Sequence, residues 1–190
     1  MELKFKNDEE QWKYIEEQED ILNQLGTALA NLKRAPESHD TVEELEGRAV
    51  KGDSAAQFNL SIRLLYGEGV RQDHEQAARW LLQSAESGYA HAQYDLGCCL
   101  QDGGDTQNAL PWFIKAAKQN YGPAQYNLAV IYGNLGDHHS AFIWFSVAAQ
   151  NGVAEASSAR KKAAGFLTTA ELDPARMAAS ALMFDLRRQR

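Results

Sequence analysis

Two cysteines, five histidines and several paired carboxylates are the side chains of this sequence that could act as nucleophile, metal ligand or acid–base pair. A cysteine nucleophile needs a partnered base in an electropositive setting, and the neighbourhood of Cys98 offers neither. Cys98 and Cys99 adjoin, and bridging neighbours distorts the backbone, so free thiols of a reducing compartment are expected. His138 and His139 also adjoin. Neighbours on a helix point apart, so a metal site there would have to recruit His91 or Cys98 from elsewhere, and solvated histidines near a helix start are the simpler expectation. Glu43 and Glu44 read as a solvated helix face. The stretch GEGV at 67–70 lacks the lysine of a phosphate-binding G-x-x-x-x-G-K-S loop and reads as a turn, and no serine sits in a nucleophile elbow. The sequence therefore assigns no catalytic residue, no cofactor and no metal. A small-molecule hydrolase stays as a lesser alternative, which would require a deep pocket holding a titratable group of strongly shifted pKa.

The elements that would have to position such groups repeat along the chain. Ala56, Ala92 and Ala124 each open a stretch in which Leu60, Leu96 and Leu128 follow four residues on, and Trp80, Trp112 and Trp144 recur at intervals of 32 residues. The first unit is four residues longer, through the loop GEGVRQD. In each first helix the apolar or small positions fall at offsets 0, 4, 5 and 8 from the starting alanine, one face at helical spacing. Asp73, Asp105 and Asp137 stand where the second helix needs an N-cap, followed by apolar residues at offsets 4, 7, 8 and 12. Neither helix buries its face alone, so stacking of units must supply the core. Pro123 suits a first helical turn. Pro111, several residues beyond Asp105, predicts an irregular or late-starting second helix in its unit.

The pattern resembles the Sel-one-like repeat family, relatives of the tetratricopeptide repeats. Ala92, Gln93, Leu96, Gly97, Asp105, Ala109, Trp112, Ala116 and Ala117 carry it, as do Ala124, Gln125, Leu128, Tyr132, Asp137, Ala141, Trp144, Ala148, Ala149 and Gly152. Ala56, Gln57, Leu60, Tyr66, Gly67, Gly69, Val70, Asp73, Ala77, Trp80, Ala85 and Gly88 carry it in the first unit. The resemblance implies an all-α fold, a right-handed α/α superhelical solenoid of tandem helix-turn-helix repeats, used as a scaffold or adaptor, commonly in bacteria. Secreted members often staple the helices of a unit with cysteines, and this chain has no such pairs.

Residues 41–158 are expected to form the solenoid, with a degenerate half-repeat at 41–51, full units at about 52–87, 88–119 and 120–151, and the start of a fourth. In the half-repeat Leu45 and Ala49 keep their places while Glu44 replaces tryptophan. Capping helices are expected at 1–40 and 159–190. From about Asn7 to Lys33 one amphipathic helix carries Ile15, Leu22, Leu25, Leu29 and Leu32 near heptad spacing; it either covers the open end of the array or forms the seam of a homodimer.

Charge narrows the partners. The chain is 190 residues long with a formal charge of -7, and residues 1–46 hold a net of -8, leaving the remainder at +1. An acidic first quarter argues against nucleic acid or an anionic membrane, which both demand a basic surface. The basic clusters at Arg160, Lys161, Lys162 and at Arg187, Arg188, Arg190 are too small to reverse that. No signal-peptide core and no run of roughly 20 apolar residues occurs, so a cytoplasmic monomer or homodimer is expected.

If offsets 0, 4, 5 and 8 face the core, then at about 100° per residue the opposite side carries offsets 2, 3, 6, 9 and 10. In the superhelices that the chain resembles, first helices line the concave wall. That wall would comprise Phe58, Asn59, Ile62 and Tyr66, then Tyr94, Asp95, Cys98 and Asp102, then Tyr126, Asn127, Val130 and Asn134. Aromatic rings beside short polar chains suit a bound peptide or protein segment. Asn59, Asp95 and Asn127 are expected to be exposed, because such groups are costly to bury unpaired, whereas Tyr94 and Tyr126 serve either binding or packing between units. The function expected is that of a non-enzymatic interaction module; the alternative is a dedicated inhibitor, such as an immunity protein that neutralises a bacterial toxin.

Overall fold

Thr41, Asp53, Asp73, Asp105 and Asp137 each satisfy a first free N–H group at a helix start, whereas Tyr89, Tyr121 and Glu155 precede helices without a side-chain cap bond. A computed structural model describes residues 40–188. The amphipathic segment between Asn7 and Lys33 lies outside them. Helix α1 (Val42–Ala49) starts in a capping box: Glu44 N–H donates to Thr41 Oγ1, and Thr41 N–H donates to Glu44 Oε2 at 2.8 Å. The residue that replaces tryptophan in the half-repeat is thus a capping partner. Three helix pairs follow, α2 (Ser54–Tyr66) with α3 (His74–Glu86), α4 (Ala90–Asp102) with α5 (Thr106–Lys118), and α6 (Gly122–Asn134) with α7 (His138–Gln150). Asp73, Asp105 and Asp137 cap α3, α5 and α7, each accepting the N–H three residues on. Helices α8 (Ala156–Ala164) and α9 (Thr169–Arg188) close the array. Every regular element among the described residues is helical.

Alanines stand where helices meet. Ala49, Ala77, Ala92, Ala109, Ala116, Ala117, Ala124, Ala141 and Ala148 are fully buried, and the bulk between them comes from Leu45, Leu60, Leu81, Leu96, Phe113 and Leu128. Each such leucine contributes about 1.5–3 kcal/mol by leaving water. The three tryptophans are half-buried and lie against this core from its edge. A smaller cluster of Ala129, Phe142, Phe145, Ala163 and Ala175 joins the last unit to the closing helices.

Gly97 marks a close approach of a first helix to its partner, for a Cβ there would come within 2.8 Å of the Phe113 ring. At the turns between units the left-handed backbone falls to Gly88 and Gly152 and, in the second unit, to Asn120 at φ 64°. Asparagine tolerates that region better than other side chains. Here its Oδ1 is also used, accepting from Asn151 Nδ2 at 2.6 Å.

One expectation fails. Helix α5 starts on time at Thr106 and runs the same 13 residues as its counterparts, with Pro111 inside it. Pro111 and Gln107 are both exposed. The Gln107 carbonyl that the proline leaves without its helical N–H therefore faces water, which satisfies it, and the helix tolerates the ring.

Candidate functional site

Repetition should give equivalent positions on the inner face equal exposure, yet burial falls from one end of that face to the other. In the first unit Phe58 and Ile62 are 0% exposed and Asn59 is 5% exposed. In the second, Asp95 is buried while Tyr94 and Cys98 are half-buried, and in the third Tyr126, Asn127 and Val130 are all half-buried. Tyr66, Asp102 and Asn134, at the far end of each first helix, are exposed. The expected exposure of Asn59 and Asp95 is therefore wrong, and only Asn127 of the three meets solvent. Asn59 is buried without loss because its Nδ2 donates to Ala55 O at 2.9 Å, a bond within its own helix that spacing alone did not suggest.

Rings run along the same face. Phe58 lies 5.3 Å from Tyr89, Tyr89 stacks on His91 at 5.1 Å, His91 meets Tyr121 at 4.6 Å, and Tyr121 meets Tyr94 at 5.3 Å. Such pairs prefer offset or tilted geometry and add about 0.5–1.5 kcal/mol each beyond their buried area. Tyr89 and Tyr121 were absent from the predicted wall because they precede the starting alanines, at the N-cap positions of α4 and α6. Their signal was there to find, as they too stand 32 residues apart. Burial pushes the Tyr94 phenol well above the ordinary tyrosine range, and Cys98 beside it adds to the effect. Burial likewise raises the Cys99 thiol, with Asp95 contributing, so Cys99 is held as an inert thiol.

At the third unit the face opens into a cavity of about 460 Å³ lined by Tyr126, Val130, Asn134, His138, Phe145, Lys162 and Phe166. Phe166 is 68% exposed and lies flat on His138, with ring centres 4.1 Å apart. Neither Phe145 nor Phe166 was among the predicted site residues, since they come from a second helix and from the turn after α8. A second cavity of about 380 Å³, lined by Phe142, Ser146, Arg160, Lys161, Arg176 and Met183, lies between α7 and the closing helices. Among the described residues no three His, Cys, Asp or Glu side chains gather where they could hold a metal ion. His91 stands in the ring ladder between Tyr89 and Tyr121, whereas His138 stacks on Phe166. Among the described residues no helix is long and apolar enough to cross a membrane.

The family model of the Sel1 repeat matches residues 54–89, 90–121 and 122–153. The chain belongs to the Sel1 repeat family. Sel1 repeats are protein–protein interaction modules, a non-catalytic kind of scaffold, and the matched stretches begin at the first residues of α2, α4 and α6. The crystal structure of a Sel1 repeat protein from Oxalobacter formigenes is 33% identical, with a TM-score of 0.61, over 64% of this chain and 97% of that one. A protective antigen of uropathogenic Escherichia coli strains, c5321, shares 27% identity with a TM-score of 0.66 over 91% of this chain and 40% of that one. An F-box protein of Arabidopsis thaliana is 44% identical over 52 residues, which span 27% of this chain and 14% of the plant protein. The all-helical solenoid expected from the resemblance is the fold observed.

Proposed function

We propose that this Sel1 repeat protein is an adaptor that holds an apolar segment of a partner protein against the inner face of its third unit. The observation that carries this reading is the cavity at Tyr126, Val130, Phe145 and Phe166, where the wall is least covered and an aromatic ring stands 68% exposed beside it. Exposed aromatics at a concave site are the usual anchors of protein interfaces, with short polar groups at the rim. Asn134 supplies a polar group at that rim, and Lys162 favours an acidic residue at one end of the bound segment.

The test compares the full chain with its Val130→Asp and Phe166→Asp variants as baits in affinity purification from the native cell. The expected result is one set of partners lost from both variants and retained by a control, Glu75→Lys, on an exposed position of α3. Equal recovery by all four baits, with unchanged helical circular dichroism, would remove this face from consideration.

A further inference from the structure

We propose that the cavity between α7 and the closing helices is a binding site for a small organic phosphate, a monoester whose apolar body packs on the cavity's hydrophobic lining while its dianion meets the cations around it. The fold divides the basic run at 160–162. Lys162 lines the third-unit cavity, whereas Arg160 and Lys161 line this separate one of about 380 Å³, where Arg176 joins them.

The cavity is built by three helices, each contributing a pair of residues four apart and so on one face: Phe142 and Ser146 from α7, Arg160 and Ala164 from α8, Arg176 and Ser180 from α9. Among the described residues no carboxylate lines it. Neither the Arg160 nor the Lys161 side chain has a carboxylate partner among those residues. Arg176 Nη1 pairs with Asp173 Oδ1 at 3.1 Å, but the two side chains are 64% and 79% exposed, so water weakens the pair and a better-placed anion can share the guanidinium.

Charge selects the ligand. Asp173 offsets one of the three cations, which leaves two positive charges around a single cavity. A phosphate monoester carries about −1.5 to −2 at pH 7 and offers oxygens that a guanidinium can grip in pairs. A lone carboxylate would leave one cation uncompensated. The hydroxyls do not compete for this role, because Ser146 Oγ donates to Phe142 O at 2.7 Å and Ser180 Oγ donates to Arg176 O at 2.9 Å. Phe142, Ala164, Ala179 and Met183 supply the apolar lining, and methionine adapts its shape to what it meets. The volume falls in the range of small-molecule sites, about 300–1,000 Å³, and suits a single small molecule better than a length of partner chain.

The test is calorimetric titration of the full chain with phenyl phosphate, inorganic phosphate and benzyl alcohol. Phenyl phosphate should bind one to one, inorganic phosphate about tenfold or more weakly for want of the ring, and benzyl alcohol without saturable heat. Arg160→Gln should weaken phenyl phosphate about tenfold or more by removing a charge-assisted donor. Val130→Asp, in the third-unit cavity, should leave that affinity unchanged, which separates this site from the adaptor surface. Ser180→Glu, at an exposed position of α9, places a negative charge one turn from Arg176 and should abolish binding; it decides the matter if Arg160→Gln does not fold. No saturable binding of phenyl phosphate, equal binding of inorganic phosphate, or undiminished affinity in a folded Ser180→Glu chain would overturn the proposal. A phosphotyrosyl peptide that binds about tenfold or more tightly than phenyl phosphate would give the site to a partner chain and overturn it too.

Discussion

Gln119 Nε2 donates to Gln93 Oε1 at 2.8 Å, and Gln93 Nε2 donates in turn to Ala85 O at 3.1 Å. The same relay recurs one unit on, where Asn151 donates to Gln125 Oε1 at 2.7 Å and Gln125 Nε2 reaches Ala117 O at 3.2 Å. The glutamine after each starting alanine is thus a buried clamp between units, and a residue at the end of the second helix completes it. In the first unit that residue is Ser87. Gln57 Nε2 still donates to Ala49 O at 3.1 Å, but its Oε1 is buried and accepts nothing. Ser87→Gln restores the missing donor. A buried acceptor left unsatisfied costs about 1–3 kcal/mol, and a new bond to it returns on the order of 1 kcal/mol after the longer side chain is ordered. The expected outcome is a higher denaturation midpoint for Ser87→Gln in urea, with an unchanged slope.

Gly97 should resist even the smallest addition. Alanine is the better helix former by about 1 kcal/mol, which would stabilise an open site. Here the added methyl would lie 2.8 Å from Phe113, a ring that is itself fully buried and cannot swing away. Overpacking of that kind costs about 1–3 kcal/mol, so the clash outweighs the propensity. Gly97→Ala is expected to lower the melting temperature, and a double variant with Phe113→Leu should recover part of the loss.

Acid should loosen the caps. Hydrogen bonds from the Ser140 side chain and backbone hold the Asp137 carboxyl below the usual carboxylate range, and the Ala56 N–H, followed by Arg48, does the same for Asp53. A carboxyl whose pKa is lower folded than unfolded adds stability above the unfolded value, near 4, and that contribution disappears as the pH falls through the folded value. Urea midpoints should therefore drop between about pH 4 and pH 2. Asparagine also caps helices but does not titrate, so Asp137→Asn should match the parent near pH 7 and lose less of its stability in acid.

Much of this fold was legible because a solenoid repeats its reasons. Asp73, Asp105 and Asp137 declare their helix starts by side-chain chemistry, and Leu60, Leu96 and Leu128 declare a buried face by spacing. What escaped depends on contacts between distant residues. Asn59 and Asp95 looked too polar to bury, but Asn59 solves its own problem through the Ala55 carbonyl. Gln93 looked like a motif letter until Gln119, 26 residues away, completed its network. Periodicity described the wall as a face and could not show that one end of it is covered. Phe166 was invisible as a site residue because it belongs to a turn outside the repeat.

Pro111 offers a prediction of the opposite sign to Gly97. It occupies an exposed position in α5, where it removes one backbone hydrogen bond while touching little of the core. The helix forms because Asp105 caps it and because Ala109, Phe113, Ala116 and Ala117 are buried along its other side. Proline in a helix interior costs about 3 kcal/mol relative to alanine, less what the unfolded chain gains in freedom when the ring is removed. Pro111→Ala should therefore stabilise the protein by about 1–2 kcal/mol without moving Ala109 or Phe113. Hydrogen exchange provides the check. The backbone amide gained in Pro111→Ala should itself be protected, and its neighbours in α5 should exchange more slowly than they do in the parent, while the amides of α7 keep their rates. A loss of stability would mean that the proline ring fixes the start of α5 in a way that its exposed position does not reveal.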